Sequence, residues 1–288
     1  TGLIFGQLLH SEGYGTFVRH LVDYGRRNGL TADSPFGVFV ASFATHAVLD
    51  RATHPFINYF SGWVTPRNSE SEQYSNCHAF YERIIDVFAL RVRAGKSIDR
   101  YDFFSNVDCG EDMPPDLSAA ISEAIVSTYP EYSSIEKVKR RIGNAYTDTR
   151  NFYVFTNPLD GHARRIAYER DHGLAGTPTR LLALFHPTRL PELDYLNGAR
   201  GDWNHPGIAE ERHTESFFDL YEAALNTAAE AIRAVADALE GRITDEQLEA
   251  TVGNENLSDG RKKKIRRKLE IVRPLPLQDV LRSVYEGA

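Results

Sequence analysis

The amino-acid sequence predicts an all-α protein, a multi-helix bundle of about eight helices. Apolar residues recur with the period of an α-helix through most of the 288 residues. No convincing run alternates apolar and polar residues, as a half-buried strand does. The composition is 42% hydrophobic and 25% charged, which is ordinary for a globular protein that buries a core. Disordered, collagen-like and coiled-coil classes are therefore excluded.

The first two predicted helices have clear start and stop signals. One spans residues 14–28 and ends at Gly29, a usual C-terminal stop. Ser34 followed by Pro35 predicts the start of a second, longer helix that continues to about residue 60. This second helix contains the most apolar stretch of the chain.

Further helices follow a short polar loop that contains Pro66, Asn68 and Ser69. A third helix is predicted over about residues 70–94, ended by Gly95, and the short loop makes it a neighbour of the second. Residues 173–209 are rich in Pro and Gly and predict a short helix between loops. The remaining predicted helices cover residues 115–129, 133–154, 158–172 and about 209–239.

Charge divides the chain into an acidic body and a basic run. The whole chain has a formal charge of −7, and residues 261–268 (RKKKIRRK) hold +7, which leaves −14 on the rest. We therefore predict a main all-α domain at 1–258 and a basic C-terminal extension at 259–288. The run is interpreted either as a solvated helix face or mobile tail, or as a patch for peripheral contact with anionic surfaces.

The two cysteines limit the kinds of site that the chain can build. Cys77 and Cys109 are too few for a disulfide framework and lack CxxC spacing, so metal ligands must be His, Asp or Glu. The most apolar stretch, residues 36–49, is interrupted by polar residues and is too short for a membrane span. We expect a soluble protein, with the cytoplasm slightly favoured.

Two neighbouring helices each present imidazole and carboxylate groups one turn apart. His46, Asp50 and His54 are spaced by four residues, and each such step drifts only about 40° around a helix, so they share one stripe. The third helix repeats this spacing with His78, Glu82 and Asp86. Chance alone gives about as many pairs of a histidine with a carboxylate four residues later. The observed pairs, however, lie in the most apolar helices, where an unpaired buried carboxylate is costly.

Two interpretations of these stripes follow from the residues alone. Each pair can be a surface ion pair or a hydrogen-bonded core histidine. Alternatively, imidazole and carboxylate without thiolate are typical of catalytic Zn²⁺, with Mn²⁺ or Fe²⁺ also compatible. Such ions lower the pKa of bound water to about 7, and two or three close ions favour phosphoryl oxygens as the substrate group.

Residues 43–58 (FATHAVLDRATHPFIN) and 77–86 (CHAFYERIID) resemble the metal-binding core of the bacterial zinc-dependent phospholipase C family. That family shares its all-α fold with single-strand-specific zinc nucleases. The resemblance covers most of residues 1–240, and it implies that the domain at 1–258 is metallohydrolase-like. It continues more loosely through residues 9–12, 157–160, 202–206 and 213–217.

The resemblance implies two or three zinc ions. One zinc would be bound by His10, His46 and Asp50, and a second by His54, His78 and Glu82, with Asp50 bridging toward a third. The family has further ligands before its equivalent of His10, namely an N-terminal amine or early His and an Asp that is a candidate general base. Either these ligands lie in residues that precede Thr1, or the site is incomplete. The spacing departs from that of the secreted phospholipases, which place the third His farther past the Asp.

The function expected from this resemblance is that of a zinc-dependent phosphodiesterase. Metal-bound hydroxide would attack the phosphorus of a small phosphoester or a phospholipid head group. Asp50 and Glu82 are the candidate catalytic carboxylates, and Glu82 or the earlier Asp would act as the base.

Two other functions stay open. The chain can be a non-catalytic all-α module with a structural metal site. A single-strand nuclease is third, because the acidic body disfavours a stable nucleic-acid complex, although Tyr14, Tyr59, Phe60 and Trp63 could line a groove. Glu-x-x-His spacing, typical of di-iron bundles, occurs only at predicted helix ends, at 169–172 and 210–213.

Overall fold

The computed structural model describes residues 3–64, 68–157, 161–172, 181–261 and 271–286. Within these ranges the chain forms ten α-helices and almost no strand, so the all-α prediction is confirmed and the helix count is near the one expected. None of the helices in the described ranges is long and apolar enough to cross a membrane.

The helices are, in chain order, α1 (Leu3–Ser11), α2 (Tyr14–Arg27), α3 (Pro35–Ser61), α4 (Cys77–Ala94), α5 (Pro115–Thr128), α6 (Ile135–Thr156), α7 (Gly161–His172), α8 (Phe217–Leu239), α9 (Asp245–Val252) and α10 (Leu277–Glu286). Short 3₁₀ turns lie at Ser69–Tyr74, Ile98–Arg100, Phe104–Asn106 and Leu182–Leu184. Strands β1 (Trp203–Asn204) and β2 (Arg212–His213) form an antiparallel ribbon in which Trp203 lies opposite His213.

The chain divides into two compact units. The first consists of residues 1–54, 109–149 and 219–266, and the second of residues 55–108, 150–218 and 267–288. The predicted boundary between residues 258 and 259 stays a prediction. Apart from Arg261, the basic run at 261–268 lies outside the described residues, as do Pro66 and Asp160.

The predicted signals at the start of α3 are confirmed. Pro35 is its first residue, and the Ser34 hydroxyl accepts a hydrogen bond from the Gly37 amide at 3.1 Å. This contact satisfies one of the amides that a helix start leaves without an intrahelical partner. Gly29 and Gly62, which follow α2 and α3, have φ of 65° and 75°, a left-handed conformation that glycine adopts without steric cost.

Two predicted helix starts are wrong. The third helix begins at Cys77 instead of about residue 70, because residues 69–74 form a 3₁₀ turn and Asn76 has a left-handed φ of 62°. The helix predicted from about residue 209 begins at Phe217, since the preceding residues pair in the β1–β2 ribbon. Helices α1, α9 and α10 had no predicted counterpart.

The core of the first unit determines which side of α3 faces outward. Val40, Ala44 and Ala47 are fully buried at helical spacing and pack in this core with residues of α2 and α8. His46 lies on the opposite side and is exposed, whereas Asp50 is half-buried. The apolar pattern of α3 therefore places the first two members of the predicted stripe away from the packed face.

Candidate metal centre

His10, His46 and Asp50 converge in the first unit. The imidazole of His10 comes from α1 and the other two side chains from α3, and their donor atoms all lie within 4.8 Å of one another. The His10 and His46 side chains are 42% and 46% exposed, whereas the Asp50 side chain is 13% exposed. The three groups that the resemblance assigns to one zinc are therefore together in the structure.

Two of the spacings between these donor atoms are close to the edge of a metal tetrahedron. Oδ2 of Asp50 lies 3.2 Å from Nε2 of His46 and 3.4 Å from Nε2 of His10. Charge-assisted N–H···O bonds are shorter, about 2.7–2.9 Å. Two ligands bonded at about 2.0–2.1 Å to a tetrahedral zinc ion are about 3.3 Å apart. The two distances are compatible with shared coordination of one ion.

Hydrogen bonding sets the tautomer of His10. Its Nδ1 lies 2.7 Å from the carbonyl oxygen of Gly6, which can only accept, so Nδ1 carries the proton. In the neutral ring the electron pair is then on Nε2, the atom that faces Asp50, and in the protonated ring Nε2 carries the second proton. The hydrogen bond to Asp50 raises the pKa of His10, against the opposite effect of burial. A backbone oxygen on the far ring nitrogen is the usual partner of a metal-binding imidazole.

His54 completes the stripe on α3 but is buried, with 8% of its surface exposed. Its Nδ1 donates a hydrogen bond to the carbonyl oxygen of Leu257 and lies 3.7 Å from Oδ2 of Asp50. Because a carbonyl only accepts, Nδ1 carries the proton, and the electron pair is again on Nε2.

The second unit contains the paired side chains His78 and Glu82 on α4. Nε2 of His78 lies 3.1 Å from Oε1 of Glu82, and its Nδ1 lies 3.0 Å from Oδ1 of Asn58. Asn58 is 1% exposed and belongs to the motif that carries the family resemblance. An amide oxygen at Nδ1 gives His78 the same tautomer as His10 and His54.

The predicted second zinc set draws on both units. His54 belongs to the first unit, and His78 and Glu82 belong to the second. The assignment of these three residues to one ion stays a prediction.

Asp86, the last member of the α4 stripe, has a different partner. It lies 3.0 Å from Nε2 of His186, whose ring is 3% exposed and stacks on Phe103 at 4.4 Å. Burial lowers the pKa of His186. The sequence predicts His186 only as a surface or core residue, and 100 residues separate it from Asp86. The fold of the chain brings this pair together, and no local sequence pattern indicates it.

His213 is part of the β ribbon rather than of a helix N-terminus. Its ring stacks on Trp203 at 4.3 Å, and its two nitrogens lie 3.3 and 3.4 Å from carboxylate oxygens of Glu211 and Glu215. Helix α8 begins after this ribbon, at Phe217.

Two of the four aromatic residues proposed for a nucleic-acid groove are buried. Tyr14 and Tyr59 are 1% and 7% exposed, which excludes them from stacking on bases. Tyr14 packs against Phe43 at 4.8 Å, and its hydroxyl donates to the Phe43 carbonyl oxygen. Trp63 is 37% exposed.

Comparison with protein-family models, curated proteins and solved structures gives no match to this chain. The resemblance to the zinc-dependent phospholipase C family therefore depends on the motifs at 43–58 and 77–86.

Proposed function

We propose that this protein is a zinc-dependent phosphoester hydrolase of the phospholipase C type. The observation that supports it most is the convergence of His10, His46 and Asp50 around one point, with both imidazoles nearly half exposed. Zinc sites that serve only structure are closed by four protein ligands, whereas catalytic sites keep a position for water or substrate. Three solvent-accessible donors fit the catalytic arrangement.

The donor set also fits zinc by its chemistry. Two imidazole nitrogens and a carboxylate oxygen form the same combination that zinc hydrolases use. Bound zinc supplies Lewis acidity and a nucleophile derived from water at neutral pH. The carboxylate of Asp50 places negative charge next to both imidazoles and thereby favours a divalent cation.

Glu82 is the candidate general base among the residues of this chain. Its side chain is 41% exposed and lies next to His78, so solvent reaches the carboxylate. A carboxylate in that position accepts a proton from a water molecule within hydrogen-bond reach. The substrate class follows from the resemblance, and we propose a small phosphodiester such as a phosphocholine ester.

Zinc content and hydrolysis of p-nitrophenyl phosphocholine test the proposal together. The purified protein should retain at least about one equivalent of zinc after dialysis. His46→Ala should lose both the metal and the hydrolysis. His20→Ala is the matched control, since His20 is also a partly exposed helical histidine of the first unit. It should keep both properties. Retained zinc and full hydrolysis in His46→Ala would disprove the proposal, and zinc without hydrolysis of any phosphoester would favour the structural-metal module.

A further inference from the structure

The segment that follows α9 contacts two of the predicted metal-ligand histidines through a single residue. The backbone N–H of Leu257 donates to the carbonyl oxygen of His10 at 2.8 Å. Its carbonyl oxygen accepts the hydrogen bond from Nδ1 of His54. Leu257 is fully buried. This segment lies beyond the residues that resemble the phospholipase family, so none of the family motifs includes it.

Asn256 holds Leu257 in this position by organising a tight turn. Its side-chain oxygen accepts hydrogen bonds from the amides of Ser258 and Asp259 at 3.0 and 2.9 Å. Its side-chain nitrogen donates to the Arg261 carbonyl oxygen at 2.7 Å and to the Asp259 carboxylate. One side chain therefore ties together the residues on both sides of the turn, which fixes the direction of the Leu257 peptide groups.

The same segment is attached to α3 beside Asp50. The guanidinium of Arg51 lies 3.2 Å from the Glu255 carboxylate and donates to the Val252 carbonyl oxygen. Gly260 packs against the backbone of Arg51, where a Cβ atom would lie 3.2 Å from the Arg51 carbonyl oxygen. Contacts at both ends thus hold the segment against the helix that bears His46, Asp50 and His54.

We propose that residues 255–261 form a clasp that positions His10 and His54 for metal binding, with Leu257 as the positioning residue. This role rests on the proposed function. The carbonyl of Leu257 holds the proton of His54 on Nδ1 and so keeps the electron pair on Nε2, and backbone or carboxylate acceptors serve this purpose in metal sites. The Leu257 amide fixes the backbone from which His10 extends.

Asn256→Ala tests the clasp, because it removes the side-chain hydrogen bonds of the turn without altering a predicted ligand. Losing an outer partner of a metal ligand typically weakens metal affinity about 10- to 100-fold. We expect a loss of this size, measured with zinc alone in competition with a chromophoric chelator. In the metal-free protein, ¹⁵N NMR of the imidazoles should show His54 protonated at Nδ1, and a mixture of tautomers in Asn256→Ala.

Asn254→Ala is the matched control. Asn254 immediately precedes the clasp and makes hydrogen bonds of the same kind, but to Thr16 and Glu249 instead of around Leu257. Its loss should leave zinc affinity within about twofold of the wild type and the His54 tautomer unchanged.

The outcomes separate the clasp from the proposed function. A folded Asn256→Ala protein with wild-type zinc affinity would overturn the positioning role. An equal loss of affinity in Asn254→Ala would also overturn it, since the effect would then be general destabilisation. A wild-type protein that binds no zinc would instead defeat the proposed function, while the tautomer measurement in metal-free protein would still show whether Leu257 orients His54.

Discussion

Oδ2 of Asp50 lies 3.2 Å from Nε2 of His46, one helical turn earlier on α3. The same oxygen lies 3.4 Å from Nε2 of His10 on α1. A single carboxylate oxygen is thus close to two imidazole nitrogens that come from separate helices. Chance also produces the i, i+4 spacing of His46 and Asp50. The approach of His10 from a second helix is what makes these residues a three-dimensional donor set.

Replacing Asp50 by Asn should remove most of the zinc affinity. The amide keeps the size of the side chain but loses the negative charge that favours a divalent cation. We expect a fall of at least about 100-fold, more than the loss of an outer partner causes. Isothermal titration with zinc measures it. Asp23→Asn on α2 is the control, and equal zinc binding by both variants would contradict the assignment of Asp50.

Replacing Asn58 by Ala should destabilise the protein and release the ring of His78. Asn58 is buried, and its Oδ1 is the partner of Nδ1 of His78. The His78 side chain is 33% exposed, so solvent can replace the lost acceptor and the loss is that of one hydrogen bond, about 0.5–1.5 kcal/mol. Urea denaturation should show a decrease in the free energy of unfolding of that size. The ¹⁵N spectrum should show mixed His78 tautomers, and an unchanged tautomer would mean that Asn58 does not orient the ring.

The buried His186 predicts a loss of stability in acid. Burial lowers its folded-state pKa below the ordinary 6.5. Asp86 acts in the opposite direction, whereas Arg83 and Arg164 lower the pKa further by smaller amounts. As the pH falls below about 6.5, the unfolded chain takes up a proton that the folded chain does not. The free energy of unfolding is therefore highest above that pH and decreases until the folded-state pKa is reached.

His186→Phe checks this origin of the pH dependence. Phenylalanine preserves the stacking on Phe103 but does not titrate. Urea midpoints at about pH 7 and about pH 5 should differ less in the variant than in the wild type. An identical shift in both proteins would show that other groups account for the acid sensitivity.

Two glycines in helices should respond oppositely to alanine. A Cβ at Gly15 on α2 would lie 2.8 Å from the backbone oxygen of Gly253, so Gly15→Ala should cost about 1–3 kcal/mol. Nothing lies within 4 Å of a Cβ at Gly143 on α6, and Gly143→Ala should stabilise by about 0.5–1 kcal/mol. Thermal unfolding of both variants measures the difference, and stabilisation by Gly15→Ala would contradict the close packing of α2 on the end of α9.

The sequence predicted the parts of the molecule that local chemistry controls. Helix α3 begins at Pro35 and is followed by Gly62 as expected, because proline and glycine act within one turn. The stripe of His46, Asp50 and His54 was likewise predicted from helical spacing alone. Since α1 had no predicted counterpart, the approach of His10 to Asp50 was implied only by the family resemblance.

Local sequence patterns do not predict contacts between distant segments. The late start of α4 follows from the left-handed Asn76, and the late start of α8 from the pairing of Trp203 with His213. The contact of Leu257 with His54 uses backbone atoms, which every residue type provides. Residue identity therefore does not predict this hydrogen bond, and only the folded structure shows it.

The clasp also has a consequence for how the protein matures. His54 and Leu257 are 203 positions apart, and contacts between such distant residues form slowly and late in folding. During synthesis, His46 and Asp50 leave the ribosome long before the residue that orients their neighbour has been made. Under the proposed function, the ligand set therefore stays incomplete until Leu257 has been made, and stable metal capture follows that point.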